Sequence, residues 1–385
     1  MTSAGELPRR SRRIDGVDAA RGVALLGMMS VHVFPETGDD GGTTLAFLLA
    51  SGRAAALFAV LAGVGVALLT GGRRPLRGRT RARTAVALVV RGLIVGLVGL
   101  LLAELETGVA VILAYYAVLF LVAVPLLGLG PRRLAALALA VALGAPFAGL
   151  ALRERLPRTP FDNPTLGTLV GDPLQLLQTI TISGYYPVLG WTAYLCAGLA
   201  VGRLALGSRT VAASLLVGGA VLAAVASAAS ALLLGPLGGR ERIGRASDLR
   251  GPELERAVEA MRPGNVPTDT AWWLATDAAH TTTPPDLLHT TGTALAVLGL
   301  ALLVVPLAPR LLAPLAAAGS MPLSLYSVHL LVLHLVDDAD PLVLWGTQAV
   351  AALVLAPLWR RYVGRGPLEA LTTAVTSPIR GGSRT

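Results

Sequence analysis

Long apolar runs separated by short arginine-rich connectors set the rhythm of this chain. Ten runs reach the length that a bilayer core demands of a helix, about 20 mostly apolar residues. They lie at 17–34, 45–70, 85–103, 109–129, 134–152, 186–206, 211–235, 287–307, 317–336 and 341–358. Alanine, glycine and leucine dominate them, and small residues let membrane helices approach closely. The pattern predicts an all-α fold: a polytopic transmembrane bundle of about ten helices, one integral membrane domain over residues 1–385. An arm over 1–16 and a tail over 359–385 flank it. The arginine-rich start leads into a full-length span, so no cleavable signal peptide is expected. Two connectors are long, 153–185 and 236–286. In the second, Leu249, Leu254, Ala257, Val258 and Met261 recur at helical spacing, which predicts a short amphipathic helix.

Composition sharpens this picture. Hydrophobic residues make up 54% of the chain and charged residues 14%, against roughly 25% charged in soluble domains. That excludes a water-soluble globule and a disordered chain alike. A single cysteine, Cys196, leaves no disulfide framework and no multi-thiolate zinc site. The net charge of +9 does not signal nucleic acid, because the basic residues are all arginine and cluster between apolar runs. Positive charge stays cytoplasmic in membrane proteins. Arg9, Arg10, Arg12 and Arg13, the run from Arg73 to Arg83, Arg132, Arg133, Arg360, Arg361 and Arg365 fall on one side if the N-terminus is cytoplasmic. Both termini are therefore expected inside, and the two long connectors outside.

Charged groups inside hydrocarbon cost several kcal/mol and mark functional candidates. The first run contains RGVALLGMMSVH. Arg21 and His32 are eleven residues apart, about three turns, so they share a face and stand about 16 Å apart along the axis. A fixed cation at the inner end suits a phosphate-bearing donor. An imidazole at the outer end suits general-base work on a hydroxyl or amine. Arg91, at a similar depth to Arg21, completes a pair able to clamp a pyrophosphate. Arg53, in the outer part of the second run, is expected to reach Glu36, Asp39 or the acidic outer connectors. In the ninth run Ser320, Ser324, Ser327 and His334 form one stripe, while Tyr326 and His329 form another. His329 and His334 are five apart and face different ways. No histidine pair has the i, i+4 spacing of a helical metal site, so no metal is expected.

Several stretches are familiar together. RIDGVDAARGVALLGMMSVHVF at 13–34, GRAAALFAVLAGVGVAL at 52–68, ILAYYAVLF at 112–120 and GYYPVLGWTAYLCAGLAVGR at 184–203 resemble the YeiB-like family of multipass bacterial membrane proteins. So do AAHTTTPPDLLHTTGTALAVLG at 278–299, GSMPLSLYSVHLL at 319–331 and RRYVGRGPLEAL at 360–371. That family is related to the heparan-alpha-glucosaminide N-acetyltransferases and to acyltransferase family 3. The resemblance implies transfer of an acyl group from cytoplasmic acyl-CoA to an acceptor across the membrane. It implies His32 as catalytic base or acyl-handling residue and Arg21 in the donor site, and it adds His280 on the acceptor side. Thr281 departs from the glycine or serine usual after that histidine.

The expected function is thus a membrane acyltransferase of the bacterial cytoplasmic membrane. Its donor is acyl-CoA, acetyl-CoA foremost, and no metal is needed. The acceptor is a hydroxyl or amine of an extracytoplasmic glycan, glycolipid or small molecule. His32, His280 and His329 are the catalytic candidates, and Arg21, Arg91 and Arg53 the donor-binding or charge-stabilising ones. Expected partners are the lipid bilayer, these substrates and a second copy in a homodimer. The alternative is a transporter or flippase of a lipid-linked or amphipathic solute, whose path the intramembrane arginines would line.

Overall fold

A computed structural model describes residues 14–39, 41–259, 266–336 and 338–381. Helices follow one another as α1 (Asp15–Val33), α2 (Leu45–Ala50), α3 (Arg53–Leu69), α4 (Gly78–Ala103), α5 (Leu113–Leu126) and α6 (Pro131–Arg153). The first long connector holds α7 (Leu166–Gly171), α8 (Pro173–Gln178) and a π turn, and leads to α9 (Val188–Gly202) and α10 (Arg209–Leu234). The second holds α11 (Gly239–Ser247) and α12 (Gly251–Glu259) and leads to α13 (Pro284–Val304). The chain closes with α14 (Pro309–Ala318), α15 (Pro322–Leu335), α16 (Pro341–Tyr362) and α17 (Pro367–Thr376).

Every one of the ten apolar runs is helical. Among the described residues six helices are long and apolar enough to cross a membrane, and seven if α14 and α15, bent by 66°, count as one span. The other three fall short for identifiable reasons. α5 has 14 residues and α9 has 15, about 21 and 22 Å of helix. α1 has the length but carries Asp15, Asp18 and Arg21 in its first half. Lipid exposure is written on the long helices. Leu93, Leu97 and Leu101 of α4, and Val217, Val221 and Val225 of α10, point outward at four-residue spacing. Water would not tolerate such stripes, and hydrocarbon does. The protein is a multi-pass helical membrane protein.

Small residues bring the central helices together. A methyl group on Gly198 of α9 would lie against the Val60 carbonyl of α3, and Gly63 and Gly202 sit at the same seam. Gly219 and Gly292 do the same between α10 and α13. Arg203 then pins the Arg21 end of this core. Its Nη1 donates to the carbonyls of Ala67 (3.1 Å), Thr70 (3.4 Å) and Gly72 (2.9 Å). Its Nη2 donates to Thr70 Oγ1 (3.1 Å) and Leu127 O (2.8 Å). One guanidinium so satisfies the carbonyl-rich C-terminal ends of α3 and α5, where a cation also meets the negative pole of each helix.

The single amphipathic helix expected in the second connector is instead two. Asp248, at φ 53°, breaks the chain between α11 and α12. Leu249, Leu254, Ala257 and Val258 nonetheless pack as the spacing foretold, against Ile243 and Trp273. Met261 lies outside the described residues.

Candidate functional site

The His32 end of α1 meets α15 in the bundle. His32 Nδ1 lies 3.1 Å from His329 Nε2, and His329 Nδ1 lies 2.8 Å from Gln348 Oε1 on α16. An amide oxygen only accepts, so His329 Nδ1 carries the proton and its Nε2 accepts. His32 Nδ1 must therefore donate, which leaves the basic lone pair on His32 Nε2. The two imidazoles stack with centroids 5.3 Å apart, and Tyr326 stands edge-on at 6.2 Å. This direction follows from the Gln348 amide turned with its Oε1 towards His329, an orientation that leaves its Nε2 buried without a hydrogen-bond partner among the described residues.

His32 and His280 line one small cavity with Met28, Tyr186 and Tyr326. The hydroxyls of Tyr186 and Tyr326 both aim at the Ala110 carbonyl, at 3.3 and 3.5 Å. That carbonyl is held in place from outside, because Asn163 accepts from Val111 N–H (2.8 Å) and donates to Val109 O (2.7 Å). The cavity measures about 20 Å³, enough for one water molecule. An acyl group needs more, so a reacting complex requires the walls to part.

His280 occupies a rigid loop. Thr283 caps α13 by accepting the Asp286 N–H (3.2 Å), and the Asp286 carboxylate accepts the Thr282 N–H (2.8 Å). The carboxylate reaches past the Thr283 cap to the N–H one residue before it, so cap and carboxylate together tie this loop to the first turn of α13. His280 itself sits at φ 61°, a conformation that side chains rarely take and that the surrounding bonds enforce. Its Nε2 accepts the Gly52 N–H at 3.0 Å, so its lone pair is committed and its proton is on Nδ1. As a base His280 is occupied; as a donor at the cavity wall it is available. Burial pushes its imidazole down to about 4. An unfolded chain binds that proton near pH 6.5, so this group favours the fold above that pH and the contribution fades as pH falls towards 4. The thermal midpoint in detergent should therefore drop over that window, and His280→Gln should flatten a measurable part of the slope.

At the other end of α1, Arg21 is not a bare cation. Its Nη1 pairs with Asp18 at 2.9 Å and its Nη2 reaches Leu61 O at 3.3 Å. The guanidinium lies against Gly65, where a methyl group would come within 2.8 Å of Nη2. Arg91 lies in electrostatic range of Arg21, Glu369 and Arg380. Glu369 in turn caps α15, accepting from Leu323 N (2.8 Å), Ser324 N (3.3 Å) and Ser324 Oγ (2.5 Å). Arg21, Arg380 and the half-buried Glu369 thus all lie within electrostatic range of Arg91. Leu25, Met28 and Leu61, all buried, close the space between this cluster and His32.

His329 and His334 diverge as their spacing predicts, His334 turning away to Leu105 O at 2.8 Å, while Arg21 packs on Leu61 and Gly65 of α3 and His32 meets His329 of α15. Of the partners expected for Arg53 it is the second outer connector that lies near: Asp286 is in its electrostatic range, while its bonds run from Nε to His289 (3.2 Å) and from Nη1 to Leu48 O (2.7 Å) rather than to Glu36 or Asp39. Arg53 is absent from the wall of the His32 cavity, which Tyr186, Tyr326 and His280 line. Ser320 and Ser327 bond only their own helix backbone, as membrane serines commonly do. Sequence reasoning passed over Gln348, Asp18, Tyr186 and Glu369. Gln348 had a signal, as the sole amide in an otherwise apolar run, and Asp18 stands one turn before Arg21.

Among the described residues no group of three or more His, Cys, Asp or Glu side chains converges as a metal site would. Comparison with curated proteins found no match. A family model described as heparan-alpha-glucosaminide N-acetyltransferase, catalytic, matches residues 13–231. That span contains Arg21, His32, Arg53, Arg91 and Tyr186, whereas His280, His329 and Gln348 lie beyond it and rest on geometry.

Proposed function

The chain belongs to the heparan-alpha-glucosaminide N-acetyltransferase catalytic family, a membrane enzyme of acetyltransferase type, and from that premise we propose that His32 is the general base of an acyl transfer from acyl-CoA. The observation that carries this is the Gln348–His329–His32 relay. It leaves one basic nitrogen at a cavity on the same helix as a cationic cluster. The donor, acetyl-CoA in the first instance, binds from the cytoplasm with its phosphates at Arg21, Arg91 and Arg380. Its pantetheine arm runs along α1, parting Leu25, Met28 and Leu61, and sets the thioester beside His32.

His32 Nε2 takes the proton from an acceptor hydroxyl or amine on the extracytoplasmic side. The freed oxygen or nitrogen bonds to the thioester carbon, and the C–S bond breaks. The imidazolium returns its proton to the leaving thiolate, which regenerates the base. His329 stabilises the imidazolium through the shared hydrogen bond, with Gln348 holding its tautomer. His280 Nδ1–H supplies a donor for the oxyanion, and Tyr186 and Tyr326 add theirs when their hydroxyls turn from the Ala110 carbonyl. The acceptor class is a glycan, glycolipid or small molecule carrying that hydroxyl or amine.

The test is calorimetry of acetyl-CoA on the purified protein. Saturable binding that weakens on the order of tenfold in Arg21→Ala, and survives in His32→Ala, is expected. A folded protein that binds no acyl-CoA would remove the donor assignment. Gln348 offers a second check. Gln348→Leu should lower kcat by about ten to a hundredfold with little change in KM, because it removes orientation rather than contact. Gln348→Glu should retain more activity, since a carboxylate still accepts from His329 Nδ1.

A further inference from the structure

Beside the His32 cavity runs a second, larger one that the mechanism above does not use. It has a volume of about 720 Å³ and follows α1 from Val23 to Phe34, about 16 Å of helix. Leu49, Leu57, Val297 and Trp345 line it, and the exposed leucines Leu45, Leu48 and Leu49 of α2 stand at its mouth. Its polarity is graded. Leu315 and Val23 mark the apolar end, whereas Arg53, Thr44 and Trp345 gather at the end level with His32. Arg53 has no ion-pair partner among the described residues, its bonds running to an imidazole and a carbonyl. A charge in that position suits an anionic group.

The two cavities share a wall. Ala50 and Ala54 line both, and a methyl on Gly27 would lie 3.1 Å from the Ala54 Cβ and 3.4 Å from the Ala50 Cβ. The shared wall is built there of alanine side chains. We infer that the groove is the acceptor site, that its occupant is an anionic glycerophospholipid, and that Arg53 holds the lipid phosphate while a headgroup hydroxyl is presented to His32. The inference rests on the acyltransferase reading for the chemistry but not for the binding. Arg53 immediately precedes Ala54, which lines both cavities, and a headgroup hydroxyl a few bonds from the phosphate meets His32 when this alanine wall parts. The hydroxyl oxygen gains the acyl carbon, its proton passes to His32 Nε2 and on to the leaving thiolate, and the C–S bond is the one broken.

Trp345 makes the groove observable. The full-length protein would be placed in nanodiscs containing a minor fraction of brominated phosphatidylglycerol or, separately, brominated phosphatidylcholine. Subtracting the Trp345→Phe signal isolates the one indole. Quenching of Trp345 should be several-fold stronger with the phosphatidylglycerol, and Arg53→Gln should equalise the two lipids. Val297→Trp, which fills the groove, should reduce quenching by both. Equal quenching by both lipids in the unaltered protein would mean only annular lipid and would overturn the site. Complete displacement of the phosphatidylglycerol by a polyprenyl phosphate would overturn the glycerophospholipid assignment. Acetyl-CoA binding measured on Arg53→Gln separates the two claims. Retained donor binding with lost lipid preference supports the groove alongside the acyltransferase reading. Lipid preference in a protein that binds no acyl-CoA sinks the acceptor role while the reading of the donor end fails separately.

Discussion

Replacing His32 by alanine is expected to abolish acyl transfer while leaving the fold and donor binding intact. Its Nε2 is the only ring nitrogen in the relay with a free lone pair, since His329 spends both nitrogens on His32 and Gln348 and His280 spends its lone pair on Gly52. General-base contributions run at roughly 10²- to 10⁴-fold, and no neighbour is placed to substitute. The loss should fall on kcat. Thermal unfolding should move little, because the substitution leaves His329 with its Gln348 partner and removes a ring that faces a cavity already near the size of a water. Turnover with acetyl-CoA and calorimetric binding, measured on the same preparation, separate the two effects.

Arg203→Ala should do the opposite, costing the fold rather than the chemistry. The guanidinium serves four backbone carbonyls and the Thr70 hydroxyl at the ends of α3 and α5. Its loss orphans acceptors that cannot reach water, at a cost on the order of 2–4 kcal/mol. A fall in thermal midpoint in detergent and a poor yield of monodisperse protein are expected. Arg203→Lys should recover only part, because a single ammonium cannot reproduce a fork that spans two helix ends. A wild-type midpoint in Arg203→Ala would mean that the carbonyls find other donors.

Much of this arrangement was legible in the residues, and the limits were physical. Helical geometry alone put Arg21 and His32 on one face, because eleven residues close three turns. The same arithmetic separated His329 from His334. What one sequence does not contain is the phase of each helix about its axis, which neighbouring helices set. The contact between His32 and His329, 297 residues apart, was therefore out of reach, as was the choice of His289 and Leu48 as the bonding partners of Arg53. The break before α15 was foreshadowed by Gly319 and Pro322, yet hydropathy averages over such interruptions and reads one continuous span. Asp18 was readable as an i, i+3 partner of Arg21. It changes the meaning of that arginine from a bare phosphate receptor to a held one.

The central claim is that His32 turns over a thioester presented from the Arg21 end. It is tested most directly by thiol release from acetyl-CoA in proteoliposomes containing phosphatidylglycerol, comparing the unaltered protein with His32→Ala at saturating donor. The account predicts steady release of free thiol by the former and background release by the latter, with acetyl-CoA bound equally well to both. Equal release by the two proteins, or saturable binding with no release from either, would contradict it.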